Sequence, residues 1–375
     1  MFGIDFKKNI FLGIDIGTSA IKIVEIKVEN KKPVLSNYAW VSFDGAYSKN
    51  ESADLSHDAI MPGCLKKMIT EAKFSGKNAY VSLPAVGGLI TLIEFPMIDQ
   101  KDIEQAIKFE AHKYIPTSLD EVVLSWDIIK DDNSAFNKSA GTPEAPQSAS
   151  NAAGKDGKKE SMEILLVAAS KSKVERYENL IKKTGLKLKS LELESFSMVN
   201  SLVGNDTGKF IIADIGSRVC SIILIDKGII RMNRNIDAGG KNITMTIAKS
   251  MGIDEARAEK LKLSDKDFFS LESGIDFPSV DIIIAEIKRM LAAAYRGEDS
   301  VRIDGVILSG GSASLKGLSG YISRKLDIKV TVGDPFSRIT FPQEMTPAIN
   351  AIKTRFSVAV GLAMRGASDY MKNNK

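Results

Sequence analysis

The sequence is poor in the residues on which many functional sites are built. Its 375 residues include two cysteines, Cys64 and Cys220, which excludes a disulfide scaffold and fits a reducing compartment. The two histidines, His57 and His112, are far apart and have no Cys or His neighbour at ligand spacing. We therefore expect no zinc site built from them.

A charge of one sign and long apolar runs are also missing. The chain has 51 Lys and Arg against 47 Asp and Glu, a net charge of +4, so no nucleic-acid partner is indicated. The longest apolar runs, such as 163–169 and 221–225, fall far short of the roughly 20 residues that cross a bilayer. Residues 1–9 contain Asp5 and no small-residue cleavage site follows, so no signal peptide is expected. We predict a cytoplasmic protein.

What the chain does contain is an internal repeat. With 44% hydrophobic residues and roughly 100–200 residues per domain, it should form two or three domains. Residues 11–26 (FLGIDIGTSAIKIVEI) align without gaps with residues 210–225 (FIIADIGSRVCSIILI). Six of the sixteen positions are identical: Phe11/Phe210, Asp15/Asp214, Ile16/Ile215, Gly17/Gly216, Ile23/Ile222 and Ile26/Ile225. In each copy an Asp-Ile-Gly corner separates two apolar runs, which predicts an antiparallel hairpin.

The regions that follow the two hairpins also correspond. After each hairpin we predict a strand, a helix with apolar residues at spacings of three and four, and a second strand. In the first copy these are near 34–43, 58–74 and 78–84, and in the second near 229–236, 279–296 and 304–309. The sequence therefore predicts an α/β protein of two duplicated domains with a cleft between them.

Each half also contains an insertion. Residues 86–170 are predicted to form three strands and one helix, near 89–95, 101–114, 122–129 and 162–169. In the helix, Ile103, Ile107 and residues 109–112 are expected to turn inward. Residues 131–161 have almost no apolar side chains and cannot offset their ordering entropy, so we expect a mobile loop. In the second half, 241–278 is charged and helical, which predicts a small subdomain over the cleft.

The two Asp-Ile-Gly corners could hold phosphate groups. A glycine at a corner lets backbone N–H groups converge on an anion, and hydroxyls follow at Thr18, Ser19 and Ser217. An aspartate beside a phosphate makes sense when a divalent cation, typically Mg²⁺ held through water, lies between them. Asp15 and Asp214 would fill that role. One corner alone would be a weak signal, because Asp and Gly are the usual residues of hairpin turns.

Two further glycine-rich segments precede predicted helices. In 309–313 (SGGSA) the glycines permit close approach and the following helix N-terminus attracts polar groups, although an ordinary strand-to-helix corner would look the same. In 237–244 (DAGGKNIT) two glycines again stand at a helix start. Downstream, Glu259 and Lys262 are three residues apart on one helical face and could reach a ribose or base. An exposed salt bridge is the alternative.

These motifs resemble, in order and over nearly the whole chain, the actin-like ATPase superfamily. GGKNIT at 239–244 and AEKLK at 258–262 are similar to the FtsA and MreB branch. Within that branch, DIGTSAIKIVEI at 15–26, LELESFSMVNSL at 191–202 and an insertion placed after strand 78–84 resemble the PilM family of type IV pilus assembly proteins. The resemblance implies two duplicated ribonuclease-H-like domains flanking a nucleotide cleft, with an FtsA-like inserted subdomain in the first half.

The resemblance also implies where the domains begin and end. The first domain would comprise 1–85 and 171–204, the inserted subdomain 86–170, and the second domain 205–349 with a small subdomain at about 240–300. Residues 350–375 would form a C-terminal hinge helix that packs back on the first domain and crosses a helix at 195–202.

Roles for single residues follow from the same resemblance. Asp15 and Asp214 would hold Mg²⁺ through water, and Glu194 would orient the attacking water, with an exposed helix-capping carboxylate as the alternative for Glu194. The residues expected to contact ATP are Gly17, Thr18, Ser19, Gly216, Ser217, Gly239, Gly240, Glu259, Lys262, Gly310, Gly311 and Ser312. Lys22 is expected to face solvent on a strand that alternates from the turn. With no cation aimed at the γ-phosphate, any hydrolysis should be slow.

The function implied by the resemblance is that of an ATP-binding adaptor in type IV pilus assembly. Its partner would be the cytoplasmic N-terminal peptide of a PilN-like inner-membrane protein, which could add to the strand near 89–95. Contacts with other pilus-assembly components are a further expectation. Because 366–375 has too few apolar residues to insert as a membrane helix, the protein would reach the inner membrane through this partner, without direct insertion.

Two other functions stay open at this point. One is a filament-forming, FtsA-like cell-division ATPase, which sedimentation with ATP and lipid would distinguish from an adaptor. The other is a kinase for a small hydroxylated substrate, although we expect the chain to be too short for the longer inserts that bind sugars.

Overall fold

This computed structural model describes residues 9–43, 53–98, 100–129, 161–294 and 303–374. The chain divides into two units, of which the larger comprises Met1–Val86 with Val174–Lys375 and the smaller Gly87–Lys173. The prediction of a mobile loop at 131–161 concerns residues that, apart from Ser161, lie outside the described ones.

The described residues form thirteen strands and ten α-helices. The strands are β1 (Ile10–Ile16), β2 (Ala20–Glu29), β3 (Lys32–Ser42), β4 (Asn78–Leu83), β5 (Leu89–Pro96), β6 (Val122–Ile129), β7 (Ser161–Ser170), β8 (Lys187–Leu193), β9 (Lys209–Ile215), β10 (Cys220–Asp226), β11 (Ile229–Ile236), β12 (Gly305–Ser309) and β13 (Val330–Val332). The helices are α1 (Ala53–Glu71), α2 (Gln100–Ala111), α3 (Lys171–Thr184), α4 (Glu194–Leu202), α5 (Gly240–Met251), α6 (Glu255–Lys262), α7 (Pro278–Ala294), α8 (Leu318–Leu326), α9 (Thr346–Ile352) and α10 (Ser357–Asn373).

Two sheets of the same topology form the larger unit. The first has the order β3-β2-β1-β4-β8 and the second β11-β10-β9-β12-β13. In both, the first three strands are antiparallel and the other neighbouring pairs are parallel. The predicted duplication is confirmed, because the strands of the two repeated segments occupy equivalent positions in the two sheets.

The hairpin corners are equivalent down to single hydrogen bonds. The Gly17 N–H donates to the Ala20 carbonyl oxygen at 3.0 Å, and the Gly216 N–H donates to the Val219 carbonyl oxygen at 3.0 Å. Each glycine thus closes its own corner with the N–H that it would otherwise offer to an anion. Contacts to phosphate would fall to the residues that follow, Thr18, Ser19 and Ser217.

Each sheet has a separate apolar core. In the first, residues of α1 and α3 such as Leu65 and Ile181 pack on alternate residues of the sheet, including Ile14 and Ile23. In the second, residues of α5, α7 and α8 do the same, among them Ile247, Ile287 and Ile322. Because side chains alternate between the two faces of a strand, the other face of each sheet is left to pack between the halves.

Two helices, α4 and α10, pack where the halves meet. A Cβ atom on Gly361 of α10 would overlap the Ser197 carbonyl oxygen of α4, and the Asn200 side-chain amide donates to the Gly361 carbonyl oxygen at 2.8 Å. A Cβ on Gly13 of β1 would similarly overlap the Ala359 carbonyl oxygen of α10. Backbones can approach this closely only where side chains are absent.

The smaller unit is an antiparallel three-stranded sheet, β5-β7-β6, with β5 and β6 at its edges. Helix α2 covers it with Ile103 and Ile107, as expected. The expectation that residues 109–112 turn inward is wrong for Phe109, which is 75% exposed, and for His112. Residues 103, 107 and 111 share one face at 3.6 residues per turn, and 109 lies on the opposite one.

Observed and predicted bounds differ mainly at helix ends. Helix α1 begins at Ala53 and α2 ends at Ala111, against predictions near residues 58 and 114. Among the described residues, no helix combines the length and the apolar character that crossing a bilayer requires.

Candidate functional site

The first hairpin holds a buried ion pair. Asp15, at the end of β1, is 4% exposed, and its carboxylate accepts from Lys22 Nζ at 2.7 Å and from Ser82 Oγ at 3.3 Å. The expectation that Lys22 faces solvent is wrong. Lys22 lies directly opposite Asp15 in the hairpin register, and directly opposed residues of an antiparallel pair point to the same face.

The second hairpin contributes Asp214 at the end of β9. Ser309, its neighbour on the parallel strand β12, hydrogen-bonds to the Asp214 carboxyl group and lies 2.8 Å from Ser357 Oγ at the start of α10. Burial raises the pKa of Asp214, and the Ser309 hydrogen bond and the Lys22 charge offset this only in part. Burial lowers the pKa of Lys22, but Asp15, Asp214 and Glu194 outweigh it and the net pKa is raised.

Glu194 is the third carboxyl group. It begins α4 directly after β8, and its Oε1 accepts from the Ala85 N–H at 3.2 Å. Burial, followed by the Asp15 and Asp214 charges, raises the pKa of Glu194 to about 8. The alternative of an exposed helix-capping carboxylate does not describe this side chain, which is half-buried among the other charged groups.

These charges are unbalanced in a way that suits a divalent cation. Three carboxyl groups, of Asp15, Glu194 and Asp214, share one ammonium group, that of Lys22. Carboxylate oxygens are the hard ligands that Mg²⁺ prefers. In the described part of the chain, no three His, Cys, Asp or Glu side chains are grouped closely enough to hold a metal by themselves. A Mg²⁺ ion bound here would therefore need water and phosphate oxygens to complete its coordination.

The raised pKa of Glu194 predicts a pH dependence of stability in the protein without nucleotide or metal. The folded state binds this proton more tightly than the unfolded state, whose Glu has its ordinary pKa of 4.5. Stability should therefore fall as the pH rises from that value through about 8. In Glu194→Gln, the free energy of unfolding in urea should fall less between pH 6 and pH 9. Glu178→Gln, on the exposed side of α3, is the control, and equal slopes in all three proteins would contradict the assignment.

The start of α5 is bound to the second hairpin. The Gly240 N–H donates to the Gly216 carbonyl oxygen at 2.9 Å and the Lys241 N–H to the Ser217 carbonyl oxygen at 2.8 Å. A Cβ on Gly239 would come within 2.6 Å of the Ser217 carbonyl oxygen. The two predicted glycines are therefore needed for close approach of the backbone, and they lie beside the predicted phosphate loop.

The loop after β12 completes this group. Gly310 has a φ of 88°, a left-handed conformation that favours glycine, and the Ser312 N–H donates to the Ile215 carbonyl oxygen at 3.4 Å. A Cβ on Gly240 would lie 2.5 Å from Ser312 Oγ. The helix predicted after this loop, from about Leu315, is present but begins at Leu318, so its N-terminus does not lie at the glycines. Gly311 lies beside Arg355. A Cβ atom added to Gly311 would be 3.9 Å from the Arg355 side chain.

Glu259 and Lys262 form an i,i+3 salt bridge at 2.7 Å, which was the alternative to a nucleotide contact, but its cation is not at the surface. Lys262 is 7% exposed, and Nζ also donates to Thr244 Oγ1 at 2.9 Å and to the Gly240 carbonyl oxygen at 3.1 Å. These three acceptors engage all three ammonium protons. Lys262 therefore joins α6 to the start of α5, whereas the Glu259 side chain remains 43% exposed.

The structure thus brings the predicted residues of both hairpins and of the two glycine loops together in the larger unit. Sequence reasoning missed Lys22 and Arg355. Lys22 could have been found from the hairpin register, since it follows Asp15 at the spacing that pairs them across the turn. No local sequence pattern points to Arg355. Its guanidinium group lies 5.7 Å from the centre of the Trp40 ring.

Two duplicated sheets, joined by crossing helices and with acidic hairpins between them, define an actin-like ATPase fold. The chain belongs to the family of type IV pilus assembly protein PilM, whose model matches residues 13–141 and 151–367.

Two solved structures and one sequence relative are similar to this chain. A solved PilM-PilN type IV pilus biogenesis complex has a chain that is 22% identical, with a TM-score of 0.74, covering 95% of this chain and 98% of that chain. MreB5 of Spiroplasma citri bound to AMPPNP is 12% identical with a TM-score of 0.51, covering 98% and 99%. Cell division protein FtsA of Neisseria meningitidis is 25% identical over 227 residues, 53% of this chain. That match spans 53% of the length of FtsA.

Proposed function

We propose that the protein is a cytoplasmic, ATP-binding adaptor of type IV pilus assembly that binds the N-terminal peptide of a PilN-like inner-membrane protein. Its nucleotide state would be coupled through this partner to the pilus machinery. The observation that carries the nucleotide half of the proposal is the convergence of Asp15, Lys22, Glu194 and Asp214 between the two hairpins. AMPPNP bound to MreB5 of Spiroplasma citri, which shares the fold, supports the same half.

In this proposal each half of the larger unit contributes to one ATP site. Asp15 and Asp214 hold Mg²⁺ through water, and Lys22, already paired with Asp15 at 2.7 Å, balances charge beside the phosphates. A bound Mg²⁺ would supply the positive charge that the clustered carboxylates and the phosphates lack. Three segments line the nucleotide, namely the first hairpin corner, the second corner with the start of α5, and the loop after β12. Their residues are Gly17, Thr18 and Ser19; Gly216, Ser217, Gly239 and Gly240; and Gly310, Gly311 and Ser312. The Glu259 side chain, which is 43% exposed while it accepts from Lys262 and Thr244, would contact the ribose or base.

Glu194 is proposed to orient the attacking water, and its environment argues for slow hydrolysis. The Ala85 N–H holds one of its oxygens at 3.2 Å, which limits how the carboxyl group can turn. With a pKa of about 8, the group is mostly protonated near neutral pH in the absence of a cation. A protonated carboxyl group is a poor acceptor for a water proton, so the site suits nucleotide binding better than rapid turnover.

The partner half of the proposal is supported by the family and by the inserted unit. A PilM-PilN complex is the solved structure with a TM-score of 0.74. Strand β5 lies at an edge of the inserted sheet and pairs there with β7. An extended peptide can add to such an edge through backbone hydrogen bonds. Association with the inner membrane would then come through the membrane partner.

Amide hydrogen exchange tests this docking mode. Adding a synthetic peptide with the cytoplasmic N-terminal sequence of the PilN-like partner should slow exchange of β5 amides by about tenfold or more, because pairing removes them from water. Strand β6, at the opposite edge of the same sheet, is the internal control and should not change. Equal protection of both edges, or none at saturating peptide, would refute strand addition at β5.

The alternative of a filament-forming, FtsA-like ATPase draws on the identity of 25% to FtsA of Neisseria meningitidis. That match covers about half of this chain, whereas the pilus family model matches residues 13–141 and 151–367. We therefore favour the pilus adaptor.

A further inference from the structure

One end of the first sheet is lined by lysines. Strands β1, β4 and β8 are parallel and all begin at this end. The turn between β2 and β3 lies there too, because β2 is antiparallel to β1 and β3 is antiparallel to β2. Three segments at this end, 29–32, 73–77 and 182–187, form what we call the basic end. They contain seven lysines, all exposed, and one acidic residue, Glu29.

Hydrogen bonds join the three segments of the basic end. The Lys187 N–H donates to the Lys77 carbonyl oxygen at 2.8 Å. The Ser75 and Gly76 N–H groups both donate to Glu25 Oε2 at 2.7 Å. Glu25 belongs to β2, which leads directly into the turn at 29–32. The basic end is therefore one connected part of the surface.

The positive charge of the basic end is not balanced locally. In the described part of the chain, none of its seven lysines pairs with a carboxylate. The nearby carboxylates are engaged elsewhere, since Glu29 pairs with Lys27 at 2.8 Å and Glu71 with Lys67 at 3.7 Å. Glu25 is 2% exposed and holds the backbone of 73–77 from below. An anion that meets the basic end from solvent is therefore attracted by several lysines at once.

The second sheet shows that the fold does not require this charge. Its corresponding turn, strand start and helix end comprise 226–229, Asp304 and 324–329, which together hold four basic residues and three aspartates. Asp304 stands directly before β12, where Lys77 stands directly before β4. Because α3 and α8 both end at this position, the attraction of cations to a helix C-terminus applies equally to both sheets. It does not explain an excess found in one of them.

The composition of the basic end favours a surface of anionic headgroups as its partner. Its cations are all lysines, which act as flexible point charges, whereas arginine binds single carboxylates or phosphates with a planar fork. Its apolar side chains, Phe74 and Leu186, are each 7% exposed. It therefore offers no aromatic platform for the bases of a single-stranded nucleic acid. It also lacks the apolar or aromatic anchor on which protein interfaces depend.

We propose that the basic end binds the anionic phospholipid headgroups of a membrane surface by electrostatic attraction, with no segment inserted. The choice of a membrane rests on the proposed location beside the inner membrane. This contact would add a second attachment to the one through the partner, and two weak attachments hold more firmly than one. Strand β1 spans seven residues between the basic end and the first hairpin corner, about 20 Å. The contact therefore leaves the proposed ATP site open.

Sedimentation of the full chain with vesicles tests this contact in the absence of the partner protein. Vesicles of phosphatidylcholine with about 40% phosphatidylglycerol should bind the protein at low salt, whereas vesicles of phosphatidylcholine alone should not. Raising the NaCl concentration to about 0.5 M should release the protein, because exposed charges are screened. Failure to bind the anionic vesicles would overturn this proposal alone. The proposed adaptor is tested separately, by calorimetry with ATP and by hydrogen exchange with the partner peptide.

Two triple variants locate the contact, and each removes three positive charges at exposed positions. The variant of the basic end combines Lys31→Gln, Lys183→Gln and Lys187→Gln. The matched control, at the corresponding end of the second sheet, combines Lys227→Gln, Lys325→Gln and Lys329→Gln.

The basic-end variant should lower the partition coefficient onto anionic vesicles roughly fiftyfold or more, at about fivefold for each lysine. The control should lower it less than about threefold, and thermal melts should show that both variants remain folded. Equal losses in the two variants, or equal binding to neutral and anionic vesicles, would overturn the proposal. Release from the vesicles by poly-glutamate or DNA at equal charge concentration would also overturn it, in favour of an acidic protein segment or a nucleic acid.

Discussion

Replacing Asp214 with asparagine should lower the affinity for Mg-ATP by about a hundredfold or more. This corresponds to losing roughly 3 kcal/mol, the scale expected when one member of a desolvated charged contact is removed. The side chain keeps its size, so the loss would reflect charge and not packing. Isothermal titration calorimetry with Mg-ATP measures the effect directly, and the same titration without Mg²⁺ should show a much smaller difference between Asp214→Asn and the unaltered protein.

The fold should survive this substitution. Burial raises the pKa of Asp214, which means that the ionised carboxylate is unfavourable in the folded state without ligand. The melting temperature of Asp214→Asn should therefore equal or exceed that of the unaltered protein. Asp226→Asn is the matched control, since Asp226 ends β10 of the same sheet and faces Lys209 at 3.8 Å. Undiminished affinity in Asp214→Asn would remove the second hairpin from the site.

Replacing Gly361 with alanine should lower the free energy of unfolding by about 3 kcal/mol or more, at the upper end for overpacking. The new Cβ atom would overlap the Ser197 carbonyl oxygen of α4. Both partners are helix backbone, which cannot rotate away as a flexible side chain can. Relief would require α10 to move away from α4. That movement would break the hydrogen bond from Asn200 to the Gly361 carbonyl oxygen. Urea unfolding followed by circular dichroism measures the loss.

Gly63→Ala is the control for the intrinsic effect of this exchange. Gly63 lies in α1, and outside the neighbouring helix backbone no heavy atom of the described residues would lie within 4 Å of a Cβ there. Alanine is favoured over glycine in a helix by roughly 0.5–1 kcal/mol, so this variant should be slightly more stable than the unaltered protein. Equal stability of the Gly361→Ala and Gly63→Ala variants would show that the helices do not cross as closely as described.

The duplication could be recognised from the sequence because its signal is local. A hairpin needs only two apolar runs and a glycine corner, and both occur within sixteen residues of each copy. The same holds for Asp15 and Asp214, which are equivalent positions of one motif. The inserted unit was also predictable, since alternating apolar residues mark its strands over short distances.

Directions of side chains were harder to predict, because they depend on which element lies opposite. Phe109 is apolar and adjacent to inward-facing residues in sequence, yet it is 75% exposed because the helix turns it away. Lys262 appeared to be a surface cation and is 7% exposed, because α6 packs against the start of α5. In neither case does residue type decide burial.

The two-fold repeat, the hairpins and the identity of the acidic residues at their corners follow from the order of amino acids alone. What surrounds those residues depends on how the chain packs. Glu194 has a pKa of about 8 because burial and the charges of Asp15 and Asp214 act on it together, and these three residues are far apart along the chain. Desolvation and Coulomb interactions depend on distance in space, and packing alone sets that distance.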